Sequence, residues 1–157
     1  MAQALRLDSM EPAFGLRAAG RLLTEMIEPW VQELGLLVES VETSRPAAAP
    51  QDWQPGALVR LPFSRKACRE GAFMCGPALM ALTDTAMLLA CSAAHNGYRA
   101  MSPIDQTMHF LRPANFDVIA DARIVRTSRT TSFGRVLLYG AADRQAVGMA
   151  SSAYAML

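Results

Sequence analysis

The sequence predicts an α+β domain in which a six-stranded antiparallel sheet packs on one long helix. Residues 77–95 form a single long, mostly apolar helical segment. Strand-like segments, alternating or rich in β-branched residues, follow it to the end of the chain. The connections between these segments are short and some suit hairpins, which favours an antiparallel sheet over helix-linked parallel strands.

The chain before the long helix is predicted to hold an arm, a helix and two strands. Residues 1–13 look like a loose arm. Over residues 14–34 apolar side chains recur at helical spacing, and Pro29 is expected to kink or split that additional helix, because a mid-helix proline loses a hydrogen bond and clashes. Residues 34–42 and 57–64 favour strands.

The long helix has clear end signals. Pro77 suits the first helical position, where a backbone N–H would have no partner inside the helix. Asn96 and Gly97 are typical of the residues that close a helix. Four further strands are predicted after it, over residues 101–112, 117–128, 131–141 and 145–156.

Length and composition limit the function classes. The 157 residues fit one domain, so residues 1–157 are taken as one unit. Hydrophobic residues make up 52% and charged residues 18%, which indicates a large core or a surface buried against a second copy. The net charge of +1 gives no general attraction to nucleic acid or to an anionic membrane.

The cysteines and histidines do not suggest a disulfide framework or a metal site. The three cysteines, Cys68, Cys75 and Cys91, are odd in number and contain no C-x-x-C pair. His95 and His109 lie apart in sequence, so a zinc site is not expected. The first residues lack a signal-peptide pattern, and no apolar run is long enough for a membrane span. A reduced, cytoplasmic, soluble protein is expected.

One carboxylate, Asp84, interrupts the apolar helix between Thr83 and Thr85. An unpaired ion in such a place would cost roughly several kcal/mol, so the acid needs a partner or a purpose. It could be structural, paired with an Arg or Lys or bonded to a nearby hydroxyl. It could also be a catalytic acid.

Gly76 offers a possible partner in catalysis. Its N–H lies at the positive end of the helix dipole, where it could hold a developing oxyanion, if Gly76 is the residue that caps the helix. Eight residues separate Gly76 from Asp84, roughly 12 Å along the helix, too far for both to contact one reacting carbonyl. Two antiparallel helices in a two-fold dimer would bring Gly76 of one chain to Asp84 of the other.

Two motifs resemble a known family. Residues 75–86, CGPALMALTDTA, resemble the H-G-G-x-x-x-x-L-x-D-x-A signature of hotdog-fold thioesterases of the phenylacetate-degradation (PaaI-like) type. Residues 107–114, TMHFLRPA, resemble the N-I-x-F-L-R-P-A strand that follows it. With the strand-rich C-terminus, the resemblance covers about residues 35–157.

The resemblance implies a hotdog fold, a curved antiparallel sheet wrapped around one long helix, in dimers that often pair into tetramers. The implied activity is hydrolysis of acyl-CoA or aryl-CoA thioesters without a metal or organic cofactor. By position, Asp84 matches the family acid that activates water or attacks the thioester carbon. Gly76 matches the glycine whose N–H polarises the thioester carbonyl.

Four positions near these two residues depart from the family pattern or only partly meet it. Cys75 replaces the usual His, and Pro77 replaces the second Gly and offers no N–H. Arg69 stands where the family often has a water-placing Asn. Ser102 is the one residue that could supply the hydroxyl that some members place near the start of the next strand. These changes predict low activity or an unusual substrate.

Other candidates for substrate contact follow from chemistry. Cys75 could be a nucleophile at a helix N-terminus if folding brought His109 close, but a small buried replacement for His is the simpler explanation. His109 could contact the acyl pocket or simply be packed. Arg112 and Arg129 could seat the coenzyme A phosphates, or lie in solvent.

Two alternative functions stay open. The departures at Arg69, Cys75 and Pro77 also suit a non-catalytic protein that binds acyl-CoA or another lipophilic ligand on the same fold. An enoyl-CoA hydratase is less favoured, because that family needs an Asp and a His close together at the start of its helix. In this sequence the next His after Asp84 is His95, three turns away. Acyl-CoA and a second copy of the chain are therefore the expected partners.

Overall fold

The computed structural model describes residues 13–157. In chain order the helices are α1 (Leu16–Glu25), α2 (Pro29–Gln32) and α3 (Gly76–Ala94). The strands are β1 (Leu37–Glu42), β2 (Gly56–Leu61), β3 (Cys68–Arg69), β4 (Phe73–Met74), β5 (Met101–Phe110), β6 (Val118–Thr127), β7 (Thr131–Gly140) and β8 (Ala146–Met156).

Six of the strands form one sheet in the order β1-β2-β6-β7-β8-β5, and every neighbouring pair is antiparallel. The helix α3 packs on one face and contacts β1, β2, β6, β7 and β5, which reach from one edge of the sheet to the other, so the sheet wraps around it. The predicted hotdog fold is confirmed. The strand boundaries agree with the sequence-based ones to within about three residues, because alternation and turn residues mark them locally.

The core lies between α3 and the sheet. Leu82, Met87 and Leu89 of the helix are fully buried against strand residues such as Val59 and Leu138. By length and composition α3 could also cross a membrane, but 72% of its most apolar stretch is buried inside this fold. Its apolar character is therefore that of a core helix.

The N-terminal segment is divided, as Pro29 suggested. The helix predicted over residues 14–34 is observed as α1 and α2, and Pro29 is the first residue of α2. Proline favours that position because its fixed φ suits a helix start. Gly35, with φ +70°, then turns the chain towards β1. The predicted loose arm lies outside the described residues except for Ala13, and the single-domain assignment of residues 1–157 stays a prediction.

A short hairpin before α3 was not predicted. Strands β3 and β4 pair with each other and stand apart from the main sheet. Two-residue strands carry too little periodic signal to be recognised from sequence. The hairpin is held by backbone bonds from Met74 to Ala114 and from Cys75 to Ala67, both 2.8 Å. It therefore fixes the entry of the chain into α3.

Candidate active site

Asp84 lies on the one exposed stripe of α3. Most of this helix is buried, but Pro77, Met80 and Asp84 are exposed at spacings of three and four residues. These spacings place the three side chains on the same face of a helix. The acid therefore sits where a long core helix reaches the surface of the single chain.

The partner of Asp84 is a tyrosine from the last strand. The Tyr154 hydroxyl donates a hydrogen bond to Asp84 Oδ1 and lies 3.2 Å from the Asp84 carbonyl oxygen. The neighbouring Thr83 hydroxyl instead donates to the Leu79 carbonyl at 2.8 Å. Among the possible partners considered from sequence, neither a basic residue nor Thr83 holds the acid.

The surroundings of Asp84 raise the pKa of its carboxyl group. Desolvation by the surrounding protein is the largest cause, and the negative charge of Glu28 adds to it. The hydrogen bond from Tyr154 opposes both effects, because it stabilises the ionised form. The carboxylate is thus more basic than an ordinary Asp, as a proton acceptor in catalysis should be.

Gly76 is the first residue of α3, and Cys75 is its N-cap. The sequence-based assignment of Gly76 as the cap is therefore one residue late. The change does not affect its N–H, since the first four N–H groups of a helix have no intrahelical acceptor. Within residues 13–157 no backbone or side-chain acceptor lies in hydrogen-bonding range of the Gly76 N–H.

A groove of about 440 Å³ opens beside Gly76. The Phe110 ring lies over the glycine, and a methyl group added at Gly76 would come within 3.3 Å of Phe110 Cζ. Only a glycine thus leaves the backbone fully open to the groove. Of the residues proposed from sequence, the groove is lined by Arg69, Gly76 and Arg112, beside Phe73, Met74, Leu79, Phe110, Leu111, Pro113 and Ala114.

The two arginines of the groove differ in their partners. Arg112 makes a two-point ion pair with Asp143 at 2.9 and 3.2 Å and also lies over the Phe116 ring, 4.8 Å from its centroid. Arg69 is exposed, and no hydrogen bond or ion pair within residues 13–157 involves its guanidinium. Arg69 is therefore the freer of the two cations for a ligand.

Ser102 and His109 lie on the opposite face of the sheet from α3. His109 alternates with Met108 and Phe110, which contact α3, and it shares a face with its cross-strand partner Met149. Ser102 pairs with Ala155, which alternates with the inward-facing Tyr154. In the single chain neither residue meets Asp84 or Gly76.

Arg129 lies at the other end of the molecule from the groove. Its carbonyl oxygen accepts a bond from Arg99 at 3.4 Å, and the neighbouring Thr127 lies 3.1 Å from His95. His95 caps the C-terminal end of α3, about 28 Å along the helix from Gly76.

The first turn of α3 presents Cys75 partly buried and Pro77 exposed. Because His109 faces the other side of the sheet, the structure does not bring a histidine to the Cys75 thiol within one chain. That arrangement gives no support to a Cys–His pair.

Sequence reasoning missed Tyr154 and Phe110 as site residues. Both face α3, but only the pairing of β8 with β5 and β7 shows which tyrosine meets Asp84. The alternation of residues along the last strand indicates which face of the sheet Tyr154 lies on, but it does not indicate which helix residue Tyr154 contacts.

Within one chain the acid and the glycine cannot serve the same carbonyl. They are eight residues apart on a straight helix, roughly 12 Å. Asp84 and Gly76 of one chain could therefore act on a carbonyl only together with a group from outside that chain.

Comparison with known proteins gives one family match. A family model described as Thioesterase superfamily matches residues 71–147, which include the groove and Asp84. No curated protein matches the sequence.

Several solved structures resemble this chain. A conserved protein of Pseudomonas aeruginosa is 25% identical with a TM-score of 0.71, over 84% of this chain and 96% of that one. The E. coli PaaI protein from the phenylacetic acid degradation operon is 17% identical with a TM-score of 0.72, over 90% and 91%. A Haemophilus influenzae thioesterase is 17% identical with a TM-score of 0.73, over 93% and 92%. At these identities the last two establish the fold alone.

Proposed function

Because residues 71–147 belong to the thioesterase superfamily, we propose that this protein is an acyl-CoA thioesterase whose active sites form between two chains. The resemblance to hotdog-fold thioesterases inferred from the motifs is confirmed by the same match and by the fold. The observation that carries the proposal is the basic, tyrosine-bonded Asp84 on the exposed stripe of an otherwise buried helix.

Exposed apolar side chains support the pairing of two chains. Strand β5 is an edge strand, and Ile104, Phe110 and Leu111 on and beside it are more than half exposed. Met80, on the stripe with Asp84, is 41% exposed. A second copy that pairs along β5 would cover these groups and place two α3 helices side by side. We expect a homodimer, with further pairing into a homotetramer possible on the same fold.

The proposed reaction uses Asp84 of one chain and Gly76 of its partner. Asp84 either takes a proton from a water that attacks the thioester carbon or attacks that carbon itself. In the second route the acyl group is left on Asp84 as a mixed anhydride, which a water molecule then hydrolyses to the free acid and the regenerated carboxylate. The electron pair of the carbonyl moves to its oxygen, which accepts a bond from the Gly76 N–H. When the carbonyl re-forms, the carbon–sulfur bond breaks and coenzyme A leaves as its thiolate, so no strong acid is required. No metal or organic cofactor enters this mechanism.

The groove supports an acyl or aryl thioester as the substrate. Phe73 and Phe110 give it apolar walls for the acyl group, near the Gly76 N–H. Arg69 gives it an exposed cation for a phosphate of coenzyme A. We rank Arg112 below Arg69 as a phosphate contact, because the guanidinium of Arg112 is already paired with Asp143. Ser102, His109 and Arg129 would contact the substrate only from the partner chain. Cys75 and Pro77 flank Gly76 at the start of α3 and would contact the thioester beside it.

A non-catalytic acyl-CoA binding protein is the second candidate. The free Arg69 and the open groove would suit ligand binding as well as turnover. A hydratase gains no support, since His95 lies at the far end of α3 from Gly76, among Thr127, Ser132 and Arg99. The reaction we propose would take place in the cytoplasm, where coenzyme A thioesters are the available substrates.

The test is release of free thiol from a panel of acyl-CoA and aryl-CoA thioesters, by the parent chain and by Asp84→Asn. We expect the variant to lose at least about 100-fold in kcat, because loss of a general base or nucleophile costs about that much or more. Asp52→Asn is the matched control, since Asp52 is an exposed loop carboxylate near the other side of the sheet. It should keep the parent rate.

Two results would decide against the proposal. Equal rates for the parent and Asp84→Asn would remove Asp84 from the mechanism. Saturable binding of one thioester with no thiol release by the parent would favour the binding protein.

A further inference from the structure

We infer that Tyr154 is a positioning residue for Asp84, and that it fixes which carboxylate oxygen faces the substrate. This inference rests on the proposed function and adds a residue to the same site. Tyr154 belongs to β8 and lies far along the chain from both sequence motifs.

The placement of Tyr154 leaves it little freedom. Its side chain is 1% exposed and is among the largest fully buried side chains of the protein. A buried phenol hydroxyl needs a hydrogen-bond partner, and here the partner is Asp84 Oδ1. The ring is held on both sides by strand pairing, with Pro103 of β5 and Ser132 of β7 opposite Tyr154.

The hydrogen bond from Tyr154 gives the two carboxylate oxygens of Asp84 different roles. Oδ1 is occupied by Tyr154, so Oδ2 is the oxygen left for the proton of water or for the thioester carbon. The carboxylate can no longer rotate freely about its last bond, which lowers the cost of reaching a productive geometry. The bond also stabilises the ionised form, which is the active form in either mechanism.

Tyr154 supplies support that other positions in this chain do not. Within residues 13–157 no other side chain donates a hydrogen bond to the Asp84 carboxylate. A carboxylate without outer support is poorly fixed, and catalytic groups need neighbours that lock them. A rigid phenol from the sheet provides that support from the side of the core.

The first test is the pH dependence of turnover in Tyr154→Phe. This variant keeps the ring and removes only the hydroxyl. We expect kcat to fall about tenfold with KM nearly unchanged, because the substrate does not touch the phenol. We also expect the acidic limb of the pH profile of kcat, where activity falls as Asp84 is protonated, to move up by about one pH unit. The reason is that one hydrogen bond to the ionised form is lost.

Among residues 13–157, the charged and titratable groups around Asp84 are Glu28, Cys91 and Tyr154. Within the described residues, Tyr154 alone donates a hydrogen bond to the carboxylate. The negative charge of Glu28 raises the pKa of Asp84, so Glu28→Gln should move the limb down rather than up. Tyr139→Phe is the matched control. Tyr139 is another largely buried tyrosine, on β7, and its ring meets Arg144 rather than Asp84. It should leave both kcat and the limb unchanged.

A second measurement does not depend on turnover or on a Tyr154 variant. In the parent chain the ¹³C signal of the Tyr154 phenol carbon should titrate together with the Asp84 carboxyl carbon. In Asp84→Asn that titration should be absent. If no thioester is hydrolysed but this coupled titration is found, the proposed function fails while the contact between Tyr154 and Asp84 stands.

The inference is overturned by either of two results. One is a folded Tyr154→Phe protein with the parent limb and a kcat within twofold of the parent. The other is a Tyr154 signal that does not respond to ionisation of Asp84.

Discussion

Asp84 is accommodated on an apolar helix by a single contact from the opposite layer of the fold. Burial and Glu28 raise the pKa of its carboxyl group, and the Tyr154 hydroxyl lowers it. The balance leaves a carboxylate that is both basic and oriented.

At the same scale, Arg69 provides a test of how the substrate is held. Arg69→Ala should raise KM about tenfold for an acyl-CoA thioester, which is the effect of one lost charged contact to phosphate. It should leave KM unchanged for the N-acetylcysteamine thioester of the same acid, which has no phosphate. Steady-state kinetics on the two substrates measures the difference.

Arg65→Ala is the matched control for that experiment. Arg65 is an exposed arginine in the short 3₁₀ turn before β3 and does not line the groove. An equal rise in KM for both thioesters would show that Arg69 shapes the groove and does not bind phosphate.

Individual site residues were only partly predictable from sequence. Asp84 and Gly76 could be found because an acid in an apolar helix and a Gly-Pro helix start are local signals. Arg69 reaches the groove through a hairpin of two-residue strands, which has no clear local pattern. Tyr154 depends on a contact between residues 70 positions apart, which a single sequence does not specify.

At the scale of elements, the boundaries follow from glycine and proline. Pro29 starts α2, and Asn96, with φ +52°, follows the C-cap of α3 as a left-handed residue. Pro62 lies just past the end of β2, which is paired on both sides. A proline ends that strand because it cannot donate to the ladder.

Gly20, within α1, gives a prediction for element stability. Gly20→Ala should stabilise the fold by about 1 kcal/mol, because alanine has the higher helix propensity and nothing lies within 4 Å of the added methyl group. For a domain of this size that is about 3 °C in Tm. Thermal unfolding followed by circular dichroism measures it.

Gly56 supplies the contrasting variant. A methyl group there would come within 2.0 Å of the Ala122 carbonyl oxygen across the β2–β6 pair, so Gly56→Ala should lower Tm. If Gly20→Ala also lowered Tm, α1 would not be a regular helix with open space around Gly20.

At the scale of the whole molecule, the order of strands could not be read from the sequence but the fold class could. Local periodicity indicated six strands and one core helix. The edge position of β5 depends on long-range pairing with β8. That edge position matters for function, because it leaves β5 and the stripe with Asp84 open to a second chain.

The proposal that two chains build each site makes Gly76→Pro a useful variant. Proline suits a first helical position, and Cys75 before it already has the extended conformation that a following proline requires. The substitution removes an N–H that has no acceptor within the described chain. The added ring also approaches Phe110, whose half-exposed side chain can shift to make room. The variant should therefore keep the fold and lose hydrolysis.

The measurement that tests the central claim most directly is the activity of mixed dimers of Asp84→Asn and Gly76→Pro chains, produced by co-expression. Each variant alone should be nearly inactive. In a mixed dimer one of the two sites combines an intact Asp84 with an intact Gly76. Random pairing makes half of the dimers mixed, so the mixture should recover about a quarter of the parent activity. A mixture of Asp84→Asn with Asp84→Ala should recover none. If the first mixture were as inactive as its components, the sites would not be shared between chains, and the two-chain mechanism would be contradicted.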